Sequence, residues 1–225
     1  MPKSSFTIVA VAFAIIAVLL MTAPPMFTLG ILILSFNKNF PFVYTLRHLA
    51  TFLYYRMILR TPLDPLGGTA SHHMVVLPGD IDFQFHMNNS VYNLESEFCR
   101  ADWHIRTRFV EHCRSQKWRV SNGGVSFQFL RELRLFEIYR TRTRLIAFDK
   151  KWIGLETVFE TGPLASPVTH AVGFCRVVVK ESSGSQKGKT VSPEDVFRRI
   201  GLEESDVAAL KVEHLRDVKK CLCSY

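Results

Sequence analysis

The sequence lacks the short motifs that mark most catalytic and metal centres. Its five cysteines are odd in number and include no C-x-x-C pair, which argues against a disulfide framework or a zinc site. It has no H-E-x-x-H helix and no glycine-rich phosphate loop, so we expect neither a metal nor a cofactor. Ser126 and Ser166 lie outside any G-x-S-x-G elbow, which excludes the usual serine hydrolase arrangement.

Acidic residues are scarce relative to basic ones. The chain has 20 Asp and Glu against 28 Lys and Arg, which gives a net charge of +8. A basic surface can lie beside anionic lipid headgroups, and it can attract a phosphate-bearing thioester such as an acyl-CoA; the two interpretations are compatible. No nucleic-acid recognition motif accompanies the charge, so we do not expect a nucleic-acid partner.

Apolar residues are concentrated at the N-terminus. Residues 6–23 are uncharged and almost wholly apolar, and a membrane-spanning helix needs about 20 such residues. Pro24-Pro25 ends or kinks this run, and a second apolar run follows to Phe36. A retained signal-anchor, a membrane hairpin and a cleaved signal peptide all fit; the length of the run favours retention. We therefore predict a membrane anchor over residues 1–36.

Residues 37–69 connect this anchor to the rest of the chain. Residues 37–60 mix aromatic side chains with Arg and His, which fits an interfacial amphipathic helix or a helix packed on the domain. Residues 61–69 are rich in Pro and Gly and are typical of a linker. Basic residues are more frequent after the anchor than before it, which favours a cytoplasmic main domain.

The pattern over residues 70–180 predicts an α+β domain. A strand over Met74–Leu77 is followed by a sharp turn at residues 86–89 and a helix over Ser90–Phe109, whose apolar side chains recur every three or four positions. Asn89 or Ser90 is its predicted N-cap. Gly123-Gly124 indicates a turn. The four later strands are predicted at Val125–Phe129, Ile138–Phe148, Trp152–Glu160 and Thr169–Val179. This order predicts an antiparallel sheet packed on one long helix.

The end of the chain, residues 181–225, is predicted to be a flexible polar linker followed by a helical tail. Residues 181–191 are polar and rich in Gly and Ser. Ser192 followed by Pro193 and two acidic residues is typical of a helix start.

Two aspartates, Asp80 and Asp82, come just before the sharp turn. A carboxylate there lies near the positive end of the long helix, where N–H groups of the first turn have no partner. Such N–H groups can stabilise an oxyanion, so this segment is a workable site for attack on a carbonyl.

The same segment resembles a known family. It contains D-x-D at 80–82, H-x-N-N at 86–89 and Tyr92, followed by an amphipathic helix. Further matching residues are Leu77-Pro78, Arg131-Glu132-Leu133, Phe136-Glu137, Thr141 to Leu145, Phe148 to Lys151, Leu155-Glu156 and Phe159. This pattern resembles the hotdog-fold thioesterases of the 4-hydroxybenzoyl-CoA thioesterase type, and most closely the thioesterase superfamily member 6 group.

The resemblance implies a homodimeric hotdog domain that hydrolyses fatty acyl thioesters, at a membrane that we expect to be the endoplasmic reticulum. It implies that Asp82 is the nucleophile or general base, although Asp82 could instead hydrogen-bond the turn. Asp80 is expected to be structural. The N–H groups near Asn88, Asn89 and Ser90 are the expected oxyanion donors.

Several other residues have two interpretations each. His86 could act as a base or organise the turn, and Tyr92 could line the pocket or pack in the core. Arg140, Arg142 and Arg144 alternate along one strand face and could contact the phosphates of coenzyme A or lie on a solvated face.

One departure from the family pattern concerns Phe85. Many active relatives have Gly immediately before the position of His86, since Gly allows close backbone approach to a ligand, whereas Phe is expected to crowd it. A non-catalytic hotdog protein that binds acyl chains or a lipid-metabolism partner is therefore the alternative, and an acyltransferase is a third option.

Overall fold

The protein's structure is a computed structural model that describes Gly30, residues 42–59 and residues 61–212. Apart from Gly30, the predicted anchor over residues 1–36 lies outside the described residues, as does the end of the chain from residue 213. Within the described part of the chain, no helix combines the length and the apolarity that crossing a bilayer requires.

The centre of the domain is one antiparallel sheet of five strands. The strands are β1 (Ala70–Val75), β2 (Trp118–Phe129), β3 (Ile138–Phe148), β4 (Ile153–Thr161) and β5 (Val168–Glu181). Their order across the sheet is β1-β3-β4-β5-β2, with antiparallel pairing throughout. The prediction of an α+β domain with an antiparallel sheet is confirmed, and β3 has the predicted bounds. β1 begins four residues earlier than predicted.

The long helix, α2 (Asn89–Arg106), packs against this sheet. Its N-cap is Asn88, whose side-chain oxygen accepts from the Ser90 N–H, so the predicted cap at Asn89 or Ser90 was wrong by one residue. Arg108 adopts a left-handed backbone with φ of 56°, and this ends α2 earlier than predicted. A second helix that the sequence pattern did not predict, α3 (Phe109–Ser115), begins there.

The paired glycines lie inside β2, so the predicted turn at Gly123-Gly124 was wrong. The register of β2 against β5 shifts between Asn122 and Gly124, which is a β-bulge. A Cβ atom on Gly123 would lie 1.9 Å from the ring of Trp152. Glycine is required there because an aromatic ring occupies the space of a side chain.

The C-terminal segment has the predicted helix start at Ser192, but it packs on the domain instead of following a flexible linker. Residues 182–190 return to the sheet, where the Val191 N–H donates to the Val179 carbonyl at 2.9 Å. Two short helices follow, α4 (Pro193–Ile200) and α5 (Glu204–Leu210). Val196 and Phe197 are buried in the same core as Trp103, so this segment completes the domain.

The first described helix, α1 (Val43–Leu53), continues as a π-helical turn over Tyr54–Leu59. One side lies on α2, where Arg47 binds both carboxylate oxygens of Glu95 at 3.1 and 2.7 Å. The other side exposes the large apolar side chains Leu46, Leu49, Phe52, Leu53, Met57 and Ile58. The helix therefore packs on the domain and also presents an apolar outer face.

Candidate active site

The segment from Asp80 to Asn88 forms a small hairpin that leads into α2. Ile81 pairs with Met87 in an antiparallel bridge, and the Asn88 N–H donates to the Asp80 carbonyl at 2.8 Å. The Asp82 N–H donates to the His86 carbonyl at 3.0 Å. The hairpin keeps the acidic segment beside the first turn of α2.

Asp80 is part of the support of this hairpin. Its side chain is 1% exposed, and Oδ2 accepts from the Leu77 N–H at 2.8 Å across the 3₁₀ turn Pro78–Asp80. A buried carboxylate that satisfies a backbone donor stabilises the local fold. This geometry agrees with the structural role expected for Asp80.

Asp82 is more accessible than Asp80. Its side chain is 20% exposed, and Oδ1 accepts from the Gln84 N–H at 2.8 Å. Oδ2 lies 3.6 Å from His86 Nδ1, while the other ring nitrogen of His86 is 3.0 Å from Gln84 Oε1. The hairpin thus brings Asp82 and His86 together, and Gln84, which the sequence pattern did not single out, positions the imidazole.

The three residues predicted at the helix N-terminus have different roles. The Asn88 side-chain oxygen accepts from both the N–H and the hydroxyl of Ser90, at 2.8 Å each. The Val91 N–H donates to the Asn88 carbonyl at 2.9 Å. The Asn89 N–H has no hydrogen-bond partner within residues 42–59 and 61–212. Asn88 is therefore a cap, and the Asn89 N–H is the donor left open at the positive end of the helix.

Phe85 adopts the backbone conformation that glycine favours. Its φ is 62°, in the left-handed region, which costs a non-glycine residue about 1–2 kcal/mol. Its ring is 58% exposed, and the neighbouring Phe83 is 87% exposed. Phe85 thus preserves a glycine-like turn at an energetic cost, with its ring largely in solvent. Phe136 (φ 63°) and Ile138 add further exposed apolar side chains.

Tyr92 lies beneath the hairpin in a buried cluster. Its ring makes edge contacts with Phe129 and Phe159, at centroid distances of 5.2 and 4.9 Å. Burial raises the pKa of Tyr92 to about 12, so its hydroxyl stays neutral. Tyr92 packs in the core; other members of this cluster are Val76, Met87, Val91, Leu133, Tyr139 and Phe159.

The predicted arginine stripe on β3 lies against two carboxylates of β4. Arg140 binds Glu160 at 2.7 Å, Arg142 binds the same carboxylate, and Arg144 binds Glu156 at 2.9 Å. Both glutamates are buried. The register of β3 with β4 sets these Arg–Glu contacts, and the periodicity of β3 alone does not predict them. The three positive charges are therefore largely neutralised inside the chain.

The sheet packed on one long helix, with an acidic hairpin at the N-terminus of that helix, defines a hotdog-type domain. A similar fold occurs in YbaW, a probable thioesterase of Escherichia coli, with a TM-score of 0.51 and 16% identity over 58% of this chain and 96% of that one. The family model of the thioesterase-like superfamily matches residues 76–201, and the chain belongs to this superfamily.

Individual relatives agree with this assignment. Protein THEM6 of Xenopus laevis is 31% identical over 151 residues, which cover 64% of this chain and 72% of that protein. The probable thioesterase YBR096W of Saccharomyces cerevisiae is 26% identical over 62% of this chain, and the matched part spans 58% of its own length. The resemblance to the thioesterase superfamily member 6 group is confirmed, and the expectation of a thioester hydrolase is supported.

Proposed function

We propose that the protein is a membrane-associated thioesterase that hydrolyses fatty acyl-CoA or a related thioester. The observation that supports this most is that one hairpin-to-helix segment contains both an accessible carboxylate, Asp82, and an N–H that is unpartnered in the described chain, that of Asn89 at the N-terminus of α2. Attack on a thioester carbonyl needs two groups: a carboxylate that activates the nucleophile and a preorganised hydrogen-bond donor for the oxyanion.

In the proposed reaction, Asp82 Oδ2 removes a proton from water as the water oxygen adds to the carbonyl carbon. The developing oxyanion accepts a hydrogen bond from the Asn89 N–H. The C–S bond then breaks, and the thiolate takes up the proton that Asp82 had accepted. Direct attack by Asp82 gives the same products through an anhydride that water cleaves. His86 and Gln84 position the carboxylate in either route.

The acyl part of the substrate is proposed to contact the apolar side chains around the hairpin. Phe83, Phe85, Phe136 and Ile138 are all more than half exposed, which supports an apolar ligand or partner at this end of the domain. Arg142 and Arg144 remain candidate contacts for the phosphates of coenzyme A, although each must then share its charge with Glu160 or Glu156. Arg140 is buried against Glu160 and is not accessible to a phosphate.

A homodimer is part of the proposal. β2 is an edge strand of 12 residues whose outer side pairs with no other strand of the described chain, and an open edge of this length favours pairing with a second copy. Light scattering of the purified chain should give twice the chain mass. A Val125→Lys change on the exposed face of β2 should shift it toward the monomer, whereas a monomeric wild type would contradict the dimer.

The membrane association is proposed to involve both the N-terminal anchor and α1. The apolar outer face of α1 follows the apolar run in sequence, which supports contact with a bilayer surface. The described cysteines, Cys99, Cys113 and Cys175, are free and buried, as expected of a domain on the cytoplasmic face of the endoplasmic reticulum. Carbonate extraction should leave the full chain in the membrane pellet and release a variant lacking residues 1–36. Retention of that variant would contradict the anchor.

The alternative is a non-catalytic hotdog protein that binds acyl chains. The observation that favours it is Phe85, because this residue keeps a large ring at the position where many active relatives have glycine. The test incubates the full chain with acyl-CoAs of several lengths and follows thiol release. Turnover that falls in Asp82→Asn supports the hydrolase. Acyl-CoA binding without turnover in the wild type supports the alternative.

A further inference from the structure

A groove lies at the end of α2 opposite the acidic hairpin. It has a volume of about 900 Å³ and lies between α3 and the start of β2, so the pairing of β2 with a second copy proposed above uses the other half of that strand, Gly124–Phe129. Three cationic side chains, Arg114, Lys117 and Arg119, line it, and no carboxylate does. All three are exposed and form no ion pair with any residue of the described chain. They differ in this from the arginines of β3, each of which is paired with a glutamate.

Hydrogen bonds hold the backbone at Lys117, the middle of the three cationic residues. Lys117 has a left-handed backbone with φ of 59°, and its carbonyl accepts from the Ser182 N–H at 2.9 Å and from the Ser182 hydroxyl. The indole of Trp118 donates to Glu181 at 3.0 Å, which ties the start of β2 to the end of β5. A non-glycine residue kept in this conformation is strained, and such residues cluster at binding sites.

The wall of the groove also contains an unsatisfied buried polar atom. His104 lines the groove, and its Nδ1 is shut off from solvent with no hydrogen-bond partner in the described chain. Burial lowers the pKa of His104 to about 4, so the ring is neutral near pH 7. The imidazole therefore adds no charge to the wall, and the three cations set the potential of the groove.

We propose that this groove binds a phosphate-bearing ligand at a site separate from the Asp82 hairpin. A phosphate monoester carries about −1.5 to −2 charges and three acceptor oxygens. Three cations therefore fit a phosphate better than they fit a carboxylate, which has a single charge. Ser183 and Asn122 supply further polar groups, and Val110 and Val120 form an apolar wall for the rest of the ligand.

The length of α2 separates this groove from the acidic hairpin. α2 has 18 residues, so its ends lie about 27 Å apart at a rise of roughly 1.5 Å per residue. A small ligand in the groove therefore does not touch Asp82 of the same chain. The phosphate could belong to a soluble nucleotide or to a phospholipid headgroup, which share this chemistry.

The test compares three forms of the full chain in detergent: wild type, Arg114→Ala/Lys117→Ala/Arg119→Ala, and a control, Arg131→Ala/Lys150→Ala/Lys151→Ala. The control removes the same charge from exposed residues outside the groove. One arm titrates an adenosine bisphosphate by calorimetry. The other measures flotation with phosphatidylcholine vesicles with and without phosphatidic acid.

We expect the wild type and the control to bind at least one probe, with affinity that falls as salt rises, and the groove variant to bind it about tenfold or more weakly. Binding of the nucleotide alone identifies a soluble ligand. Flotation that increases only when the vesicles contain phosphatidic acid identifies a lipid headgroup. Binding of neither probe by the wild type overturns the proposal. So does an equal loss in the groove variant and the control, because bulk charge then explains the binding.

Discussion

The two ends of α2 are surrounded by different kinds of structure. At the C-terminal end, Trp103, Phe109 and Phe197 are fully buried in one continuous core. At the N-terminal end, the hairpin exposes Phe83 and Phe85 beside a partly exposed Asp82. The comparison indicates that core packing holds the C-terminal end, while the hairpin at the N-terminal end leaves large apolar side chains exposed.

The largest effect on stability is expected at the C-terminal end of α2, where the core is fully buried. Phe197 is 0% exposed on α4, so Phe197→Ala should lower the free energy of unfolding by about 3–5 kcal/mol. Chemical denaturation measures this change. The matched control is Phe83→Ala at the other end, where the ring is 87% exposed and we expect a change within about 0.5 kcal/mol. Similar losses of stability in both variants would contradict this difference between the two ends of α2.

A smaller effect concerns the pH dependence of stability, which His104 near the C-terminal end of α2 is expected to cause. Burial lowers the pKa of His104 from 6.5 to about 4. The unfolded chain therefore takes up a proton below pH 6.5 that the folded chain resists until about pH 4, so stability is lost as the pH falls through this window. At pH 5 the loss from this residue should be roughly 2 kcal/mol.

Denaturation curves of the wild type and of His104→Phe at pH 7 and pH 5 measure this loss. The aromatic replacement keeps the ring contact with Phe109 and removes the titration. The variant should lose less stability than the wild type between the two pH values. An identical pH dependence would show that His104 is accessible to protons in the folded state.

The smallest effect is expected at the strained hairpin. Phe85→Gly relieves a left-handed backbone at φ 62° and should raise the free energy of unfolding by about 1 kcal/mol. Phe83→Gly is the control, because its backbone is not left-handed and glycine there should stabilise nothing. A loss of stability in Phe85→Gly would mean that the ring contributes more through contacts than its backbone costs.

The sequence pattern predicted most of the regular secondary structure around both ends of α2. The alternation of β3 gave its bounds from Ile138 to Phe148, because one face is buried and the other carries arginines. The resemblance identified the superfamily and selected Asp82. Local pattern cannot predict where a left-handed residue ends a helix, and for this reason Arg108 and α3 were missed.

Features that depend on tertiary contacts were also missed. The Arg–Glu contacts on β3 and β4 require the strand register, and the approach of His86 to Asp82 requires the hairpin. The C-terminal helices look like an appendage in sequence because they follow a polar, Gly- and Ser-rich segment. Of their apolar side chains, the core buries Val196, Phe197 and Val207, and Ile200 and Leu210 pack against it.

The two aspartates of the hairpin have different roles: Asp82 is the proposed catalytic carboxylate, and Asp80 supports the local fold. The most direct test measures thiol release from an acyl-CoA and the free energy of unfolding for Asp82→Asn and Asp80→Asn in the full chain. We predict that Asp82→Asn lowers kcat/KM by about 100-fold or more with stability nearly unchanged, whereas Asp80→Asn costs about 1–3 kcal/mol of stability. A fully active Asp82→Asn variant would contradict the account.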